Sequence, residues 1–391
     1  MTHKRQTLLA LLAIFIVPLS GLSIDIYVPS LPAVSQYFNV DKSAAQLTIS
    51  TYLLGLGLMQ LLAGSISDSF GRKKPFLIGI IIYIFTALLI PMSSSITELQ
   101  WLRFLQGIAV ACFIVPMRAI LSDLFSGKKL HTMINYMTIS WALGPIIAPS
   151  IGGYLQFYLG WHAPFYFLAI YATIMLVFNL ALMPETIIHS HPFNLKKIRK
   201  NFIEILTHQK FIMNLFYLGF LFTMLVLFGV IGSFLIQHGL HYSSIDFGNM
   251  GLLMGLAWFL GNITNRFSLE IDFRKKSILS FVVMIATSLV MLNYALFHPI
   301  TIQTIIIPTA VMLYFAGLIF PNYLAQGISL FPQMGATANS LMGASMTFFS
   351  AVGTAIGSLL KSDSPVPLAL AYLTITAACV ILFGVCSRKE T

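Results

Sequence analysis

The sequence is poor in charged residues and in cysteine. Only 9% of its 391 residues are charged and 58% are hydrophobic, whereas soluble domains usually carry about 25% charged residues. This shortage excludes an ordinary soluble domain and predicts an integral membrane protein. The three cysteines, Cys112, Cys379 and Cys386, lie in or beside apolar runs. They therefore predict neither a disulfide framework nor a metal site.

Signatures of nucleotide chemistry are missing as well. The chain has no G-x-x-x-x-G-K-[ST] loop, which argues against transport driven by ATP within this chain. No set of catalytic residues and no cofactor or metal motif stands out. The sequence therefore predicts a protein that is not an enzyme and needs no cofactor.

Long apolar runs are what the sequence has in abundance. About 20 apolar residues are needed to cross the hydrocarbon core as a helix, and the alternating pattern of a transmembrane barrel is absent. The sequence predicts an all-α integral membrane protein with twelve transmembrane helices, which we number spans 1 to 12. They cover residues 8–30, 43–66, 75–93, 98–121, 131–157, 162–183, 211–236, 245–265, 276–297, 301–324, 335–360 and 365–386.

The positions of the basic residues predict the orientation. Cytoplasmic loops carry an excess of Lys and Arg. With the N-terminus inside, the outer loops hold only Lys42 and Lys361, and the inner segments hold nearly all other Lys and Arg residues, from Lys4 to Lys389. Both termini are therefore predicted to be cytoplasmic. The net charge of +10 follows from this topology, so we do not expect nucleic acid as a partner.

The start of the chain could also be interpreted as a cleaved secretory signal. Lys4 and Arg5 precede an apolar run, as in a signal peptide. The run continues past Pro18 to Tyr27 without a convincing cleavage site. A first spanning helix is the better interpretation.

The longest polar connection divides the chain into two halves. We predict an N-terminal six-helix bundle over 1–186, a cytoplasmic linker loop over 187–210 and a C-terminal six-helix bundle over 211–391. Two repeated bundles are typical of secondary transporters. Internal repetition is weak: the turn after span 2 has a looser counterpart in residues 261–267, followed by the basic run 274–276.

The turn after span 2 places an acid and two glycines inside a basic loop. Gly64 and Gly71 permit close approach or unusual backbone angles. The planar guanidinium of Arg72 can bond to both oxygens of a carboxylate. Asp68 can accept hydrogen bonds from backbone N–H groups at a helix start. Asp123 at the inner end of span 4 is the best candidate partner of Arg72, with Arg118 in the same region. Such a cluster could gate the inner side; alternatively, its charges serve only topology.

One acid, Asp25, and two arginines, Arg103 and Arg118, are predicted well inside spans. Asp25 lies in span 1, and an intramembrane acid is a functional hypothesis by default because burial disfavours its charged form. Asp25 could bind and release protons near neutral pH, or it could be an acid at a helix end if span 1 stops near Ser30. Arg103 in span 4 could face a cavity and approach Asp25, or snorkel to the interface.

Four motifs resemble those of the major facilitator superfamily. They are the G-x-x-x-D-x-x-G-R-K loop from Gly64 to Lys73, the R-x-x-Q-G motif at Arg103, Gln106 and Gly107, the Gly- and Pro-rich run 144–153, and the Ile24–Pro32 segment. The run in span 5 is similar to the antiporter motif of twelve-span drug:proton antiporters. Its residues are Gly144, Pro145, Pro149, Gly152 and Gly153. The fourth motif, with Met183–Thr186, is similar to the Bcr/CflA branch.

The resemblance implies a function and roles for these residues. It implies proton-coupled export of drugs or metabolites across a bacterial inner membrane by alternating access, with the proton gradient as the driving force. Asp25 would couple protons, while Arg103, Gln106, Tyr27 and Tyr136 would shape the cavity. The turn and Asp123 would lock the inner side. Partners would be a small-molecule substrate, protons and lipid, with the chain as a monomer.

Two other functions stay open. The balance of one intramembrane acid against two arginines leaves room for a specific permease, an importer or an exporter, for an anionic or zwitterionic metabolite or a siderophore. A non-transporting membrane sensor is the other alternative. It leaves the intramembrane acid unexplained.

Overall fold

The computed structural model describes residues 3–187, 193–360 and 364–387, and within these ranges it contains helices and turns but no strand. The charges predicted for the loops at Lys361, Arg388 and Lys389 lie outside the described residues. Span 1 consists of helices His3–Ile16, Leu19–Asp25 and Leu31–Tyr37. Spans 2 to 6 are Lys42–Phe70, Lys73–Leu89, Ile96–Leu124, Gly127–Leu159 and Ala163–Leu182.

The second half repeats this arrangement. Spans 7 to 12 are Gln209–Phe234, Ser244–Phe267, Phe273–Phe297, Ile302–Ser329, Gly335–Ser358 and Val366–Ser387. In the described part of the chain, ten helices are long and apolar enough to cross a membrane, and spans 5 and 8 are not among those ten. These two pack tightly on each other, so they need less lipid-facing apolar surface. The predicted all-helical membrane architecture is confirmed.

Span 1 runs further than its apolar core suggests. Its helical segments continue beyond Ser30 to Tyr37, through a 3-10 turn at Val28–Ser30. The turn contains Pro29, and prolines interrupt the regular hydrogen-bond ladder of a helix. Asp25 therefore lies inside the spanning segment, at the end of its middle helix, and not at the end of the span.

The connection between the halves contains a helix where we predicted a loop. Residues Leu195–Leu206 are helical, and the Asn194 side chain caps the helix by accepting a hydrogen bond from the backbone N–H of Lys197 at 3.0 Å. Ile198, Phe202 and Ile205 lie on its inward face, and the helix packs on spans 7 and 11. We call it the linker helix.

The two bundles are joined toward the outer end. We use outer and inner in the sense of the predicted orientation, so that span 2 begins at the outer end. Gln46 Nε2 of span 2 donates to the Val230 carbonyl of span 7 at 2.9 Å. The hydroxyls of Ser50 and Thr354 lie 2.8 Å apart between spans 2 and 11. Polar contacts of this kind are worth about 0.6 kcal/mol each in membranes.

A second seam joins spans 5 and 8 and uses the Gly-rich run of span 5. A Cβ added at Gly153 would lie 2.4 Å from the Ser244 carbonyl oxygen of span 8, and one at Gly152 would lie 2.0 Å from the Ile26 carbonyl oxygen of span 1. The Ser244 hydroxyl also donates to the Gly153 carbonyl at 3.0 Å. Only glycine permits backbones to approach this closely. Gly153 thus closes the outer end between bundles, whereas Gly152 holds spans 1 and 5 together within one bundle.

We predict that Gly153→Ala widens the outer end. Its Cβ would push span 8 away from span 5, so the distance between spin labels at the exposed Tyr37 and Leu359 positions should increase in pulsed electron paramagnetic resonance. Gly152→Ala is the matched control, because its clash lies inside the first bundle; it should lower stability without this widening. An unchanged distance in Gly153→Ala would contradict the seam.

Candidate functional site

Arg103 is fully buried in the first bundle and bonded to three spans. Its Nη1 donates to Gln106 Oε1 at 2.6 Å, and its Nη2 donates to the Ser23 carbonyl of span 1 at 2.9 Å. The guanidinium carbon lies 4.3 Å from the Tyr52 ring centre in span 2 and 5.2 Å from that of Tyr27. Aromatic faces attract cations, more strongly where water is excluded. Arg103 is therefore held by carbonyls and rings and does not snorkel.

The polar shell around this guanidinium is extended but incomplete. Thr48 donates to the Tyr27 hydroxyl at 3.1 Å, Tyr52 donates to the Ser20 carbonyl at 3.1 Å, and the Ser23 and Tyr83 hydroxyls lie 2.5 Å apart. Two buried N–H groups have no hydrogen-bond partner, Arg103 Nε and Gln106 Nε2. Unpaired buried donors are costly and usually have a reason. We call Arg103, Gln106, Tyr27, Tyr52 and Ser23 the arginine site.

Asp25 lies next to the arginine site in sequence but on another face of span 1. Ser23 and Tyr27 point toward Arg103, and a residue two positions away on a helix points to the opposite side. Asp25 shares its face with Gly21, which packs on Pro145 of span 5. In the described part of the chain, its carboxylate has no hydrogen bond or ion pair, and its side chain is partly exposed. The structure thus keeps Asp25 and Arg103 unpaired, and Gly21, one turn before the acid, packs on the span 5 motif.

The turn after span 2 forms a second charged site at the inner end. The Arg72 side chain bonds to Asp68, donates to Ser67 Oγ at 3.1 Å, and places its Nε 3.1 Å from Asp123 Oδ2. The pairing of Arg72 with Asp123 that the sequence suggested is present. Burial alone would lower the pKa of Arg72, but the bonds to Asp123 and Asp68 raise it above its ordinary value. The guanidinium is therefore a permanent charge.

Glu185 completes this site, and sequence reasoning missed its role. Its carboxylate accepts from the backbone N–H of Arg72 at 2.8 Å and of Lys73 at 3.2 Å, at the start of span 3. Gly71 makes room: it has φ +88°, and a Cβ there would lie 2.3 Å from Glu185 Oε2. The only signal in the sequence was the Met183–Thr186 motif at the end of span 6. We call Ser67, Asp68, Arg72, Asp123 and Glu185 the inner cluster.

The inner cluster ties together spans of one bundle. It joins the ends of spans 2, 4 and 6 to the start of span 3, all within the first half. Gly64, one turn earlier, faces Ser340 of span 11. A Cβ added at Gly64 would lie 3.7 Å from Ser340 Oγ. The geometry therefore makes the cluster a clamp inside the first bundle, with Gly64 as the point nearest the second.

Two predicted site residues lie apart from these sites. Arg118 is partly buried in span 4 and has no hydrogen bond or ion pair to the inner cluster or to any other described residue. Tyr136 lies in the inner half of span 5, and its side chain is 52% exposed. Neither residue contacts the arginine site.

The looser counterpart of the turn, after span 8, builds a matching cluster without carboxylates. Lys276 Nζ donates to Asn265 Oδ1 at 2.8 Å, and Asn322 Nδ2 of span 10 donates to the same oxygen at 2.8 Å. In the sequence, Asn265 follows Gly261 by four residues, as Asp68 follows Gly64. The cluster keeps a cation, Lys276, but bonds it to an amide and to the Ser268 carbonyl instead of to carboxylates.

Comparison with known proteins identifies the family. The family model of the Major Facilitator Superfamily matches residues 13–358. The chain belongs to the Major Facilitator Superfamily. It is therefore a multi-pass membrane transporter of small molecules and not an enzyme, as predicted.

Two similar proteins are named for drug resistance. The chain is 28% identical over 397 residues to a bicyclomycin resistance protein homolog of Haemophilus influenzae, covering 98% of this chain and 96% of that protein. It is 25% identical over 401 residues to multidrug resistance protein D of Escherichia coli, with 98% and 96% covered. The predicted resemblance to drug antiporters of the Bcr type is confirmed at this level of identity.

A solved structure shares the fold. A POT family transporter in complex with 5-aminolevulinic acid superposes with a TM-score of 0.75 at 14% identity, covering 98% of this chain and 95% of that one. At this identity the likeness is one of fold alone. It agrees with the arrangement of the helices as two bundles.

We predict that Glu185→Gln weakens the inner cluster in a pH-dependent way. Partial burial would raise the pKa of Glu185, but four backbone N–H bonds, led by that of Arg72, bring it below its ordinary range. A carboxylate with a lowered pKa stabilises the fold above its unfolded value of about 4.3 and loses that effect as the pH falls through its folded value.

The melting temperature of purified protein in detergent tests this. Glu185→Gln should melt a few degrees below the parent at neutral pH, and the gap should close below about pH 4. Glu204→Gln is the control, because Glu204 is an exposed carboxylate on the linker helix whose side chain makes no hydrogen bond in the described residues. A gap that does not change with pH would argue against the role of the carboxylate charge.

Proposed function

We propose that the protein is a proton-coupled antiporter that exports small molecules by alternating access. The observation that carries this proposal is Asp25, an acid inside span 1 that no cation neutralises. The resistance transporters to which the chain is similar support the direction. The orientation with both termini in the cytoplasm, the bacterial inner membrane and the monomeric state belong to the same proposal.

The placement of Asp25 suits reversible protonation. An ionised carboxylate without a partner is costly in a low-dielectric interior, and binding a proton relieves the cost. Arg103 would remove that advantage if it paired with Asp25, but its Nη1 and Nη2 bond to Gln106 and Ser23 instead. The acid is therefore free to bind and release a proton during the transport cycle.

The position of Asp25 also couples it to the outer gate. Asp25 precedes Ile26, whose carbonyl packs against Gly152, and Gly153 on the next position packs against span 8. A change in the charge of Asp25 thus takes place next to the seam between spans 5 and 8, which must open for release of the cargo. The inner cluster would keep the inner ends of spans 2, 3, 4 and 6 together while the first bundle rocks as a unit.

A second candidate is a permease for an anionic or zwitterionic metabolite. Arg118 favours it, because a cation without a described partner inside a span is costly unless a ligand or water meets it. With the outer end closed, a cargo would approach from the inner half, where Arg118 lies. An importer of such cargo is compatible with the same geometry.

We predict that Asp25→Asn abolishes transport driven by a pH gradient but preserves counterflow. Without a titratable group, the gradient cannot bias the cycle, whereas exchange of cargo for cargo needs no proton. The cargo is first sought by comparing metabolites inside and outside cells with and without the gene, with bicyclomycin as an added probe. Both kinds of transport are then measured in proteoliposomes.

Asp41→Asn is the matched control for this experiment. Asp41 precedes span 2 near the same outer end, and its side chain makes no capping hydrogen bond. It should retain both activities. Full gradient-driven transport by Asp25→Asn would show that proton coupling does not pass through Asp25.

We also predict that Arg118→Gln distinguishes the two candidate cargo classes. If the cargo is anionic, the loss of a charge-assisted hydrogen bond should raise KM by about tenfold or more, with partial recovery in Arg118→Lys. If the cargo is neutral or cationic, KM should stay within about twofold. Arg266→Gln, at the exposed inner end of span 8, controls for the loss of one positive charge.

A further inference from the structure

The linker helix has an outward face that its own bundle does not cover. Ile205 is fully buried against the bundle, and Ile198 and Phe202 are partly buried on the same side. The apolar arc continues round from this covered side, and at its uncovered edge Leu195 is 60% exposed and Ile203 is 51% exposed. A contiguous exposed apolar edge of this kind marks an interaction surface.

The same outward face is strongly basic. Lys196, Arg199 and Lys200 are all exposed on it and have no ion pair in the described residues. Together with Ile203, these three residues border a shallow depression that is open to the surface. Glu204, the one acid of the helix, lies about 40° beyond Lys200 and about 100° from Ile203.

The exposed apolar and basic side chains lie side by side around the linker helix. At 100° per residue, Leu195, Leu206, Arg199 and Ile203 fall within about 80° of one another, with Lys196 and Lys200 on the flank next to Ile203. Leu206 is also exposed. This pattern is typical of a helix that lies in the membrane interface with its apolar residues inserted and its Lys and Arg side chains reaching the headgroups.

We propose that the linker helix is an interfacial anchor that binds the headgroups of anionic phospholipids through Lys196, Arg199 and Lys200. The occupant follows from charge complementarity and from location. The helix begins soon after span 6 and ends next to span 7, at the inner end of both, so the nearest apolar phase is the inner leaflet. A negatively charged leaflet attracts each nearby Lys or Arg. The anchor adds to the transport function and does not depend on which cargo is carried.

Lipid binding by the full protein tests the proposal. Purified protein is titrated with phosphatidylglycerol or phosphatidylcholine, and retained lipid is counted by native mass spectrometry. The triple variant Lys196→Gln, Arg199→Gln, Lys200→Gln should lose affinity for phosphatidylglycerol by about tenfold or more. The control triple variant Lys128→Gln, Lys129→Gln, Lys275→Gln removes the same charge from other inner segments and should lose much less.

Three outcomes would overturn the proposal. Equal losses in both triple variants would mean that only the overall charge matters. Equal binding of phosphatidylcholine and phosphatidylglycerol by the parent would exclude a headgroup site for anions. Saturation of the site by inorganic phosphate without lipid would make it a site for a soluble anion.

A depth measurement tests the orientation of the helix and does not depend on affinity. Spin labels at Ile203→Cys and Glu204→Cys are compared in vesicles of phosphatidylglycerol and phosphatidylcholine, in a background without the native cysteines. The label at 203 should be more accessible to oxygen than to a water-soluble nickel complex, and the label at 204 should show the reverse. Two labels that are equally hydrated would contradict an interfacial helix.

Discussion

The burial of Arg103 is the constraint around which the first bundle is organised. A guanidinium buried among four helices is removed from bulk solvent, so the protein must supply contacts in its place. Spans 1, 2 and 4 do so through a carbonyl, the faces of two tyrosines and an amide, and Phe165 of span 6 adds a third ring at 5.8 Å. The rest of the bundle follows from this demand. Span 1 must turn Ser23 and Tyr27 inward, which leaves Asp25 on its opposite face.

The two halves solve the same packing problem with different charges. The inner cluster of the first half uses three carboxylates around Arg72, whereas its counterpart uses the amides of Asn265 and Asn322 around Lys276. Both clusters tie the inner ends of neighbouring spans. Because carboxylates gain and lose protons and amides do not, the bonds of the inner cluster depend on pH, whereas the amide bonds of its counterpart do not. The proposed proton site lies in the same half.

Much of this arrangement could be predicted from the sequence, and the reasons for the failures are physical. The length of the apolar runs and the positions of the basic loops predict the spans. The complementary shapes of the Arg72 guanidinium and the Asp123 carboxylate predict their pairing. The contact between Glu185 and Gly71 could not be predicted because the two residues are more than a hundred positions apart. Only a glycine with a positive φ leaves room there for the carboxylate. The linker helix was not predicted because its composition is that of a polar loop. The spacing of Ile198, Phe202 and Ile205 was the signal that could have revealed it.

The most direct test of proton binding by Asp25 needs no knowledge of the cargo. Infrared difference spectra of the purified protein, recorded while the pH is cycled across neutrality, report the carbonyl stretch of a protonated carboxyl group. The account predicts a band that appears and disappears reversibly in the parent and in Asp41→Asn, and that is absent in Asp25→Asn. A band that persists in Asp25→Asn, or a parent without any such band, would contradict the central claim that Asp25 is the group that carries the proton.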